Sequence, residues 1–256
     1  MKPRTLKFWS GSVKEHSKSA ITLNSKGVLC PICSSRFSNF MNFGKPKRLN
    51  ARCKNCGSLE RHRLLHLFFQ NELGSFTDNA SNYKILHFAP EKFFYNYFSS
   101  IKGINYKPCD LTPNKYKWKG PVNVSKVDIT NIPFESGYFD FILCNHVLEH
   151  VLDDALAMKE LHRVLNKKGF AIIQVPIHPT LENTYEDRRI TKPSERKIAF
   201  GQKDHVRWYG KDFKWRLEHV GFQVDVIDYS SQFTPEEKYK YGLLDSESIY
   251  LCKKSS

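Results

Sequence analysis

The sequence predicts an α/β fold, a doubly wound and mostly parallel sheet, with a small metal-bound ribbon ahead of it. Two observations predict it. From residue 83 onward, segments with the two-residue period of strands alternate with segments of helical period. Such alternation builds a parallel sheet with helices on both faces. Before it stand two cysteine pairs, Cys30-Pro-Ile-Cys33 and Cys53-Lys-Asn-Cys56, with 19 residues between them. Two residues between cysteines let both sulfurs face one ion, and two such turns complete a tetrahedron. A four-thiolate zinc site at Cys30, Cys33, Cys53 and Cys56 is therefore expected. Protein fills all four positions, which makes the expected zinc structural.

The elements follow in order. Residues 1–27 read as a basic N-terminal extension, 28–57 as the zinc ribbon, 58–82 as a connecting helix and linker, and 83–256 as the main domain. In the connecting helix Ser58 can cap the start and Gly74 the end. Leu64, Leu65, Phe68, Phe69 and Leu73 give it one apolar face. His62 and His66 are expected to pack or face solvent, since four cysteines already satisfy a zinc ion. The first strand of the domain covers 83–88, and a helix opened by Pro90 covers 91–101. Strands are expected at 104–108, 122–127 and 139–145. Residues 153–165 form an amphipathic helix with Ala155, Met158, Leu161, Val164 and Leu165 inward, closed by Lys167, Lys168 and Gly169. Strands at 170–175, 222–227 and 248–252, and a helix at 211–220 ended by Gly221, complete the set. Cys109, Cys144 and Cys252 lie in apolar strand contexts and are expected to be buried. The insertion at about 178–204 is long and polar, and an unstructured connection of this length is expected to be a functional lid.

Charge divides the chain. Its 256 residues carry 40 Lys and Arg against 26 Asp and Glu, a formal +14. Residues 1–70 hold 14 of the basic residues and only two acids, Glu15 and Glu60, for a net +12; the remainder is nearly neutral at +2. A basic segment can meet phosphate, RNA or an anionic glycan. With 40% hydrophobic residues the chain can bury a full core, which excludes global disorder. No apolar run approaches the roughly 20 residues of a membrane helix. Residues 1–18 are polar and basic and lack the apolar stretch of a secretory signal. A cytoplasmic protein with no membrane span is expected. Seven cysteines in a chain this long do not call for disulfides.

A family resemblance sits on one stretch. Asp128-Ile-Thr-Asn-Ile-Pro-Phe, then Phe139-Asp-Phe-Ile-Leu-Cys-Asn-His-Val-Leu-Glu-His150, resembles class I S-adenosylmethionine-dependent methyltransferases of the type 11-like branch. Glu160-Leu-His-Arg-Val-Leu-Asn-Lys-Lys-Gly-Phe-Ala-Ile-Ile-Gln-Val-Pro176 and the late Gly221-Phe222 step fit the same branch. The resemblance covers about residues 83–253. The cysteine pairs followed by Leu59-Glu-Arg-His-Arg63 are similar to a zinc ribbon in some members. The resemblance implies a Rossmann-like, seven-stranded sheet, methyltransferase activity and S-adenosylmethionine as cofactor. It implies that the loop of His87, Phe88, Ala89, Pro90 and Glu91 passes the cofactor's methionine end. It gives Asp110 the ribose hydroxyls and Asp128 the adenine amino group, with Ile129 flanking the ring. Asn145 and His146 fall beside the sulfonium. One departure stands out: Ala89 and Pro90 replace the glycines that normally let the backbone approach. Either the loop has another tight conformation or the pocket is impaired.

Methyl transfer needs an aligned acceptor and a place for its proton. His150, His146 and His205 are the candidate bases. The resemblance implies an acceptor pocket built by residues 201–210, with Arg207 and Tyr209 as candidate contacts. Arg188 and Arg189 in the lid suit an anionic acceptor. His146-Val-Leu-Glu149-His150 also reads H-x-x-E-H, an inverted metalloprotease pattern. That chemistry needs both histidines on one helix face, yet His146 directly follows a strand, so a protease is not expected. In relatives that hold a divalent ion on this segment, an acid stands where His146 is, so an ion is not expected either. The acceptor is read as a small molecule, nucleotide sugar or glycan methylated on O or N. The alternative is an RNA base, reached through residues 1–70, where Phe37, Phe40 and Phe43 interleave with basic residues. A further alternative is a non-catalytic zinc-containing binding protein on a degenerate methyltransferase body.

Overall fold

The computed structural model describes residues 27–44, 47–72, 82–118 and 120–254. The expected basic extension lies outside them except for Gly27, as do residues 73–81 of the expected linker. The ribbon consists of two antiparallel pairs, β1 (Val28–Leu29) with β2 (Arg36–Phe37) and β3 (Met41–Phe43) with β4 (Arg48–Arg52). Both cysteine pairs sit in the same kind of turn. The Cys30 carbonyl accepts from Ser34 N at 2.8 Å and the Cys53 carbonyl from Gly57 N at 3.1 Å. Cys30 N donates to Ser35 O at 3.0 Å and Cys53 N to Ser58 O at 2.8 Å. Each turn closes on a left-handed residue, Ser34 (φ 56°) and Gly57 (φ 74°). The ribbon's own buried core is Val28, Phe40, Cys30 and Cys53.

Beyond the ribbon come α1 (Glu60–Glu72), β5 (Lys84–Phe88), α2 (Lys92–Ser100), β6 (Asn105–Asp110), β7 (Ser125–Lys126) and β8 (Phe139–Asn145). Next are α3 (Asp154–Val164), β9 (Leu165–Gln174), β10 (Tyr185–Glu186), α4 (Pro193–Phe200) and β11 (Arg207–Trp208). The chain ends with α5 (Phe213–His219), β12 (Phe222–Ile227), α6 (Pro235–Tyr241) and β13 (Ile249–Lys254). Seven strands form one sheet in the order β7-β6-β5-β8-β9-β13-β12. The pairs from β7 through β9 are parallel, while β13 runs antiparallel to both its neighbours. This is the expected Rossmann-like, mostly parallel architecture. Among the described residues no helix is long and apolar enough to cross a membrane.

Alternation along the strands divides the core into two layers. Leu86 and Phe88, Ile142 and Cys144, and Ala171 and Ile173 face α3 and α5, whose Met158, Leu161, Phe213 and Leu217 cover them. Ile85, Phe141, Leu143 and Ile172 face the other way, onto Leu64, Leu65, Phe68 and Phe69 of α1 and Phe94 and Phe98 of α2. Helix α1, expected as a connector, is therefore one of the helices that cover the sheet.

Four further expectations change. The strand expected at 122–127 shrinks to Ser125–Lys126, because the Tyr95 hydroxyl takes both backbone groups of Val122, donating to its carbonyl and accepting from its amide. Helix α3 passes straight into β9, so Lys167, Lys168 and Gly169 belong to the strand and do not close the helix. On α3 the inward face takes Asp154 and Ala157, while Ala155 is exposed. The insertion at 178–204 is not structureless. It carries β10 and α4, pairs β10 with β11, and ties Thr184 to Asp212 through N and Oγ1 at 2.8 and 2.7 Å. Gly210 allows this close fit, since a Cβ there would meet the Asn183 backbone at 2.6 Å.

Candidate functional site

In a doubly wound sheet the ligand crevice opens where neighbouring strands connect in opposite directions, beyond their carboxyl ends. Here that point lies between β5 and β8, since the chain leaves β5 for β6 on one side and β8 for β9 on the other. The residues just past these two strand ends, Ala89 (φ 47°) and His146 (φ 53°), both take a left-handed backbone. Strain of this kind costs about 1–3 kcal/mol per residue and concentrates at functional sites. Ala89 N donates to Cys109 O at 2.9 Å and His146 N to Gln174 O at 2.8 Å, which pins both corners to the adjacent strand. At the same edge Asn145 is buried with neither its Oδ1 nor its Nδ2 paired within the protein. A buried amide left unsatisfied costs about 1–3 kcal/mol, so its groups await a ligand or water.

The acidic positions lie around the crevice. Asp110 ends β6, buried; its Oδ1 accepts from Thr112 N and its Oδ2 from the Tyr116 hydroxyl and the Lys115 ammonium, each at 2.7 Å. Burial would raise its carboxyl, but Lys115, the Thr112 amide and Tyr116 hold it below the usual carboxylate range. Lys115 is half-exposed and free to swing away, which would release one lone pair for a hydroxyl. Asp128 is exposed and its Oδ1 accepts from both Thr130 N and Thr130 Oγ1. Ile129 packs into the core.

The loop residues separate into buried and facing groups. His87 and Phe88 are wholly buried. His87 Nδ1 bonds the Tyr106 hydroxyl at 2.8 Å and its Nε2 meets Glu91 Oε2 at 3.1 Å, so this side chain positions Glu91. Glu91 Oε1 lies 3.5 Å from His62 Nε2, on the first turn of α1. Burial would raise the Glu91 carboxyl, but the His87 hydrogen bond and the His62 and His87 rings hold it at about 2. Pro90 is buried and Ala89 partly so.

The histidines come together just past the end of β8. His146 Nδ1 is 3.3 Å from Glu149 Oε1, and Glu149 is buried. Burial would raise the Glu149 carboxyl, yet contact with His146 lowers it. His150 and His205 stack edge to face at 4.8 Å between ring centroids. Burial lowers the His205 pKa, which favours the neutral ring. The segment Leu148–His150 is one 3-10 turn, so the H-x-x-E-H residues do not share a face of an α-helix.

Arg207 and Tyr209, expected at the acceptor, are buried structural groups. The Tyr209 hydroxyl donates to Asp154 at 2.7 Å, and Arg207 donates to three backbone carbonyls and to Glu186. Their side chains lock the insertion onto the turn after β8. Arg189 is exposed and forked onto Asp187. Arg188 lines a cleft of about 250 Å³ together with Arg196, Leu152, Val206, Asp153 and Asp187, so both signs of charge face it. The periodicity of the sequence gave no sign of Asp154 or Arg207 as buried polar hubs or of Glu91 as a partly buried one, because charged residues normally mark the solvent side.

In the ribbon, Cys30 Sγ is 3.6 Å from Cys56 Sγ and Cys33 Sγ is 3.7 Å from Cys53 Sγ, and all four are free thiols in one cluster. An ion bonded to four sulfurs at about 2.3 Å sets neighbouring sulfurs about 3.8 Å apart, so the cluster fits zinc.

Residues 90–173 match a family described as a methyltransferase domain. This match spans about a third of the chain. Among curated proteins the demethylmenaquinone methyltransferase of Staphylococcus epidermidis is 31% identical over 83 residues, 32% of this chain and 34% of its own length. That of Staphylococcus saprophyticus is 30% identical over 114 residues, 42% of this chain and 49% of its own. The chain thus spans a third to a half of the length of these relatives. Among solved structures, a SAM-dependent methyltransferase from Archaeoglobus fulgidus has a TM-score of 0.46 at 16% identity, covering 76% of this chain and 94% of its own. The 1,6-didemethyltoxoflavin-N1-methyltransferase of Burkholderia thailandensis, with bound S-adenosylhomocysteine, has a TM-score of 0.45 at 13% identity, covering 77% and 87%. The glycine-poor loop has its own tight conformation, since Ala89 itself takes the positive φ.

The buried histidines make the fold acid-sensitive. Burial lowers the pKa of His62 and His66, and Leu59 N donates to His62 Nδ1 at 3.0 Å. The unfolded chain then binds protons that the folded one refuses, so stability is full above the ordinary histidine range and falls as pH drops through it. Each tenfold difference in proton affinity costs about 1.4 kcal/mol, and each kcal/mol lowers Tm by about 2–4 °C for domains of 150–250 residues. Thermal melts from pH 7.5 to 5.5 should show a falling Tm, and His62→Gln should flatten the slope. An unchanged slope in that variant would assign the acid sensitivity elsewhere.

Proposed function

We propose that this protein transfers a methyl group from S-adenosylmethionine to an O or N of a small-molecule, nucleotide-sugar or glycan acceptor. The observation that carries the cofactor is the crevice between β5 and β8, with two left-handed corners and the unsatisfied Asn145 amide at its mouth. Asp110, placed at the end of β6, would take the ribose hydroxyls once Lys115 yields, and Asp128 would take the adenine amino group. The ionised Glu91 faces the methionine end and suits its ammonium group. The cofactor, when bound, supplies an activated methyl on its sulfonium. His146, directly after Asn145 at the end of β8, stands where an acceptor's proton can be received. The mixed charge of the cleft at Arg188 supports a polar acceptor more than a polyanion.

The ribbon supports a structural zinc on Cys30, Cys33, Cys53 and Cys56. It supports RNA binding poorly. Of the three rings expected to stack on bases, Phe40 is buried under Arg63, Phe37 is half-buried and only Phe43 is exposed. Arg48 is committed to Glu60 at 2.9 Å.

Calorimetric titration with S-adenosylhomocysteine tests the reading. The protein should bind it at micromolar concentration. Asp110→Asn should weaken binding by about 1.5–3 kcal/mol, about ten- to a hundredfold, since it removes a charged hydrogen-bond acceptor. No binding by the native protein would overturn the proposal.

A further inference from the structure

Glu149, His150 and His205 converge. One ligand atom from each lies within 4.8 Å of the others, and they form a group separate from the four cysteines. Two of the three are deeply buried, Glu149 at 1% and His205 at 2% exposure. Each keeps a buried polar atom without a partner, Glu149 Oε2 and His205 Nδ1. Leaving either unpaired costs about 1–3 kcal/mol, more for a charged group. Two such unpaired atoms in residues of one cluster call for an explanation, and a bound ion supplies one.

The surroundings hold the group in place. His205 approaches from the insertion and Glu149 from the turn after β8, and the two segments are tied by Val206 N donating to Glu149 O at 2.9 Å. Arg207, next to His205, donates to Leu148 O at 2.9 Å, next to Glu149. Glu149 Oε1 faces His146 Nδ1 at 3.3 Å, which leaves Oε2 as the free lone pair. His150 Nδ1 is 3.1 Å from the Asp204 carbonyl. A ring that donates its Nδ1 proton to a carbonyl presents Nε2 as an acceptor, the arrangement common to metal-bound histidines. His150 is also the mobile member, with its side chain 35% exposed. It has room to close the spread of 4.8 Å to the roughly 3–3.5 Å separating ligands around one ion with bonds near 2.1 Å.

We propose that Glu149, His150 and His205 form a second metal site, a two-histidine, one-carboxylate centre for a first-row divalent ion with open coordination positions. Nitrogen and oxygen ligands of this mixture suit Mn²⁺, Fe²⁺, Co²⁺ or Zn²⁺ over Ca²⁺ or Mg²⁺. Three protein ligands leave positions for oxygen atoms of a bound molecule. Resting on the methyltransferase reading above, the ligand class is an acceptor that presents a hydroxyl or carboxylate oxygen to the ion. His146, though part of the same segment, orients Glu149 and is not a ligand.

The test uses the full chain with its ribbon already loaded with one equivalent of zinc. Mn²⁺ is titrated and followed by electron paramagnetic resonance, and Co²⁺ by visible absorption. One further equivalent should bind, and the cobalt spectrum should lack thiolate charge-transfer bands. Glu149→Gln and His205→Ala should each weaken the ion about a hundredfold or more, at least the 10–100-fold that follows loss of a group that only orients a ligand. His150→Ala, at an exposed side chain, carries the same test should a buried variant fail to fold. No second equivalent, or one unaffected by all three substitutions, overturns the site. Binding of S-adenosylhomocysteine is read on the same samples. Protein that binds it but no second ion refutes the metal site alone, whereas protein that binds the ion but not the nucleoside supports the site and refutes the methyltransferase reading.

Discussion

Arg207→Ala should destabilise the protein by about 3–5 kcal/mol, the usual effect of removing one partner from a buried charge network. The guanidinium is 2% exposed and donates to Leu148 O at 2.9 Å, to Val151 O, to Leu152 O at 3.1 Å and to Glu186 Oε2 at 2.8 Å. Alanine strips that donor from the Val151 and Leu152 carbonyls, leaves Leu148 O with only Val151 N at 3.1 Å, and leaves one carboxylate without its counter-charge. It also removes the strut between the insertion and the turn carrying Glu149 and His150. Lysine should not rescue, because an ammonium on a flexible stem cannot span donors arranged as a planar fork. Thermal denaturation should show a loss of roughly 6–20 °C, taking about 2–4 °C per kcal/mol. Asp154 should soften the effect only slightly, since it is already held by Arg216 at 2.7 Å and by the Tyr209 hydroxyl. A loss below a few degrees would show that the strut is dispensable and that β10–β11 pairing alone fixes the insertion.

This arginine illustrates where the sequence stops being informative. The apolar periodicities were legible because burial follows strand and helix phase, so β5, β8 and α3 emerge from pattern alone. The cysteine turns were legible because coordination demands a fixed spacing. Asp110 and Asp128 were locatable from their places after successive strands. Arg63, Asp154, Arg207 and Glu149 were not, since a charged residue reads as surface until the partner that neutralises it is known. Those partners lie far along the chain: Arg63 donates to the carbonyls of Tyr241 and Gly242, and Arg207 reaches back to Leu148. The acceptor contacts suffered from the same blindness. An arginine and a tyrosine in a loop suggest binding, and only three-dimensional closure reveals that both are spent on backbone carbonyls and Asp154.

Removal of the ribbon metal, or Cys53→Ser, should melt residues 27–59 while leaving most of the sheet folded, and should weaken cofactor binding several-fold. The first half follows from size. A core of Val28, Phe40 and two cysteines cannot offset the ordering of some thirty residues without the ion. The sheet survives because α1 is held independently, its Leu64, Leu65, Phe68 and Phe69 packed against β5, β8 and β9. The second half follows from a chain of contacts. Ser58 Oγ lies 3.4 Å from Cys30 Sγ and 3.2 Å from Cys56 Sγ, and its carbonyl accepts from Arg63 at 2.9 Å. Arg63 stacks 4.1 Å over the Phe40 ring. The first turn of α1 thus depends on the ribbon, and that turn carries His62, which faces Glu91 of the loop after β5 at 3.5 Å. Loosening it should free Glu91 from one of its two histidine neighbours while His87 retains the other. Hydrogen exchange should show protection lost in 27–59 and kept in β5, β8 and β9. Titration with S-adenosylhomocysteine should show weaker but measurable binding. Metal-free protein with undiminished protection in the ribbon would refute the zinc, and unchanged affinity in a melted ribbon would refute the link through His62.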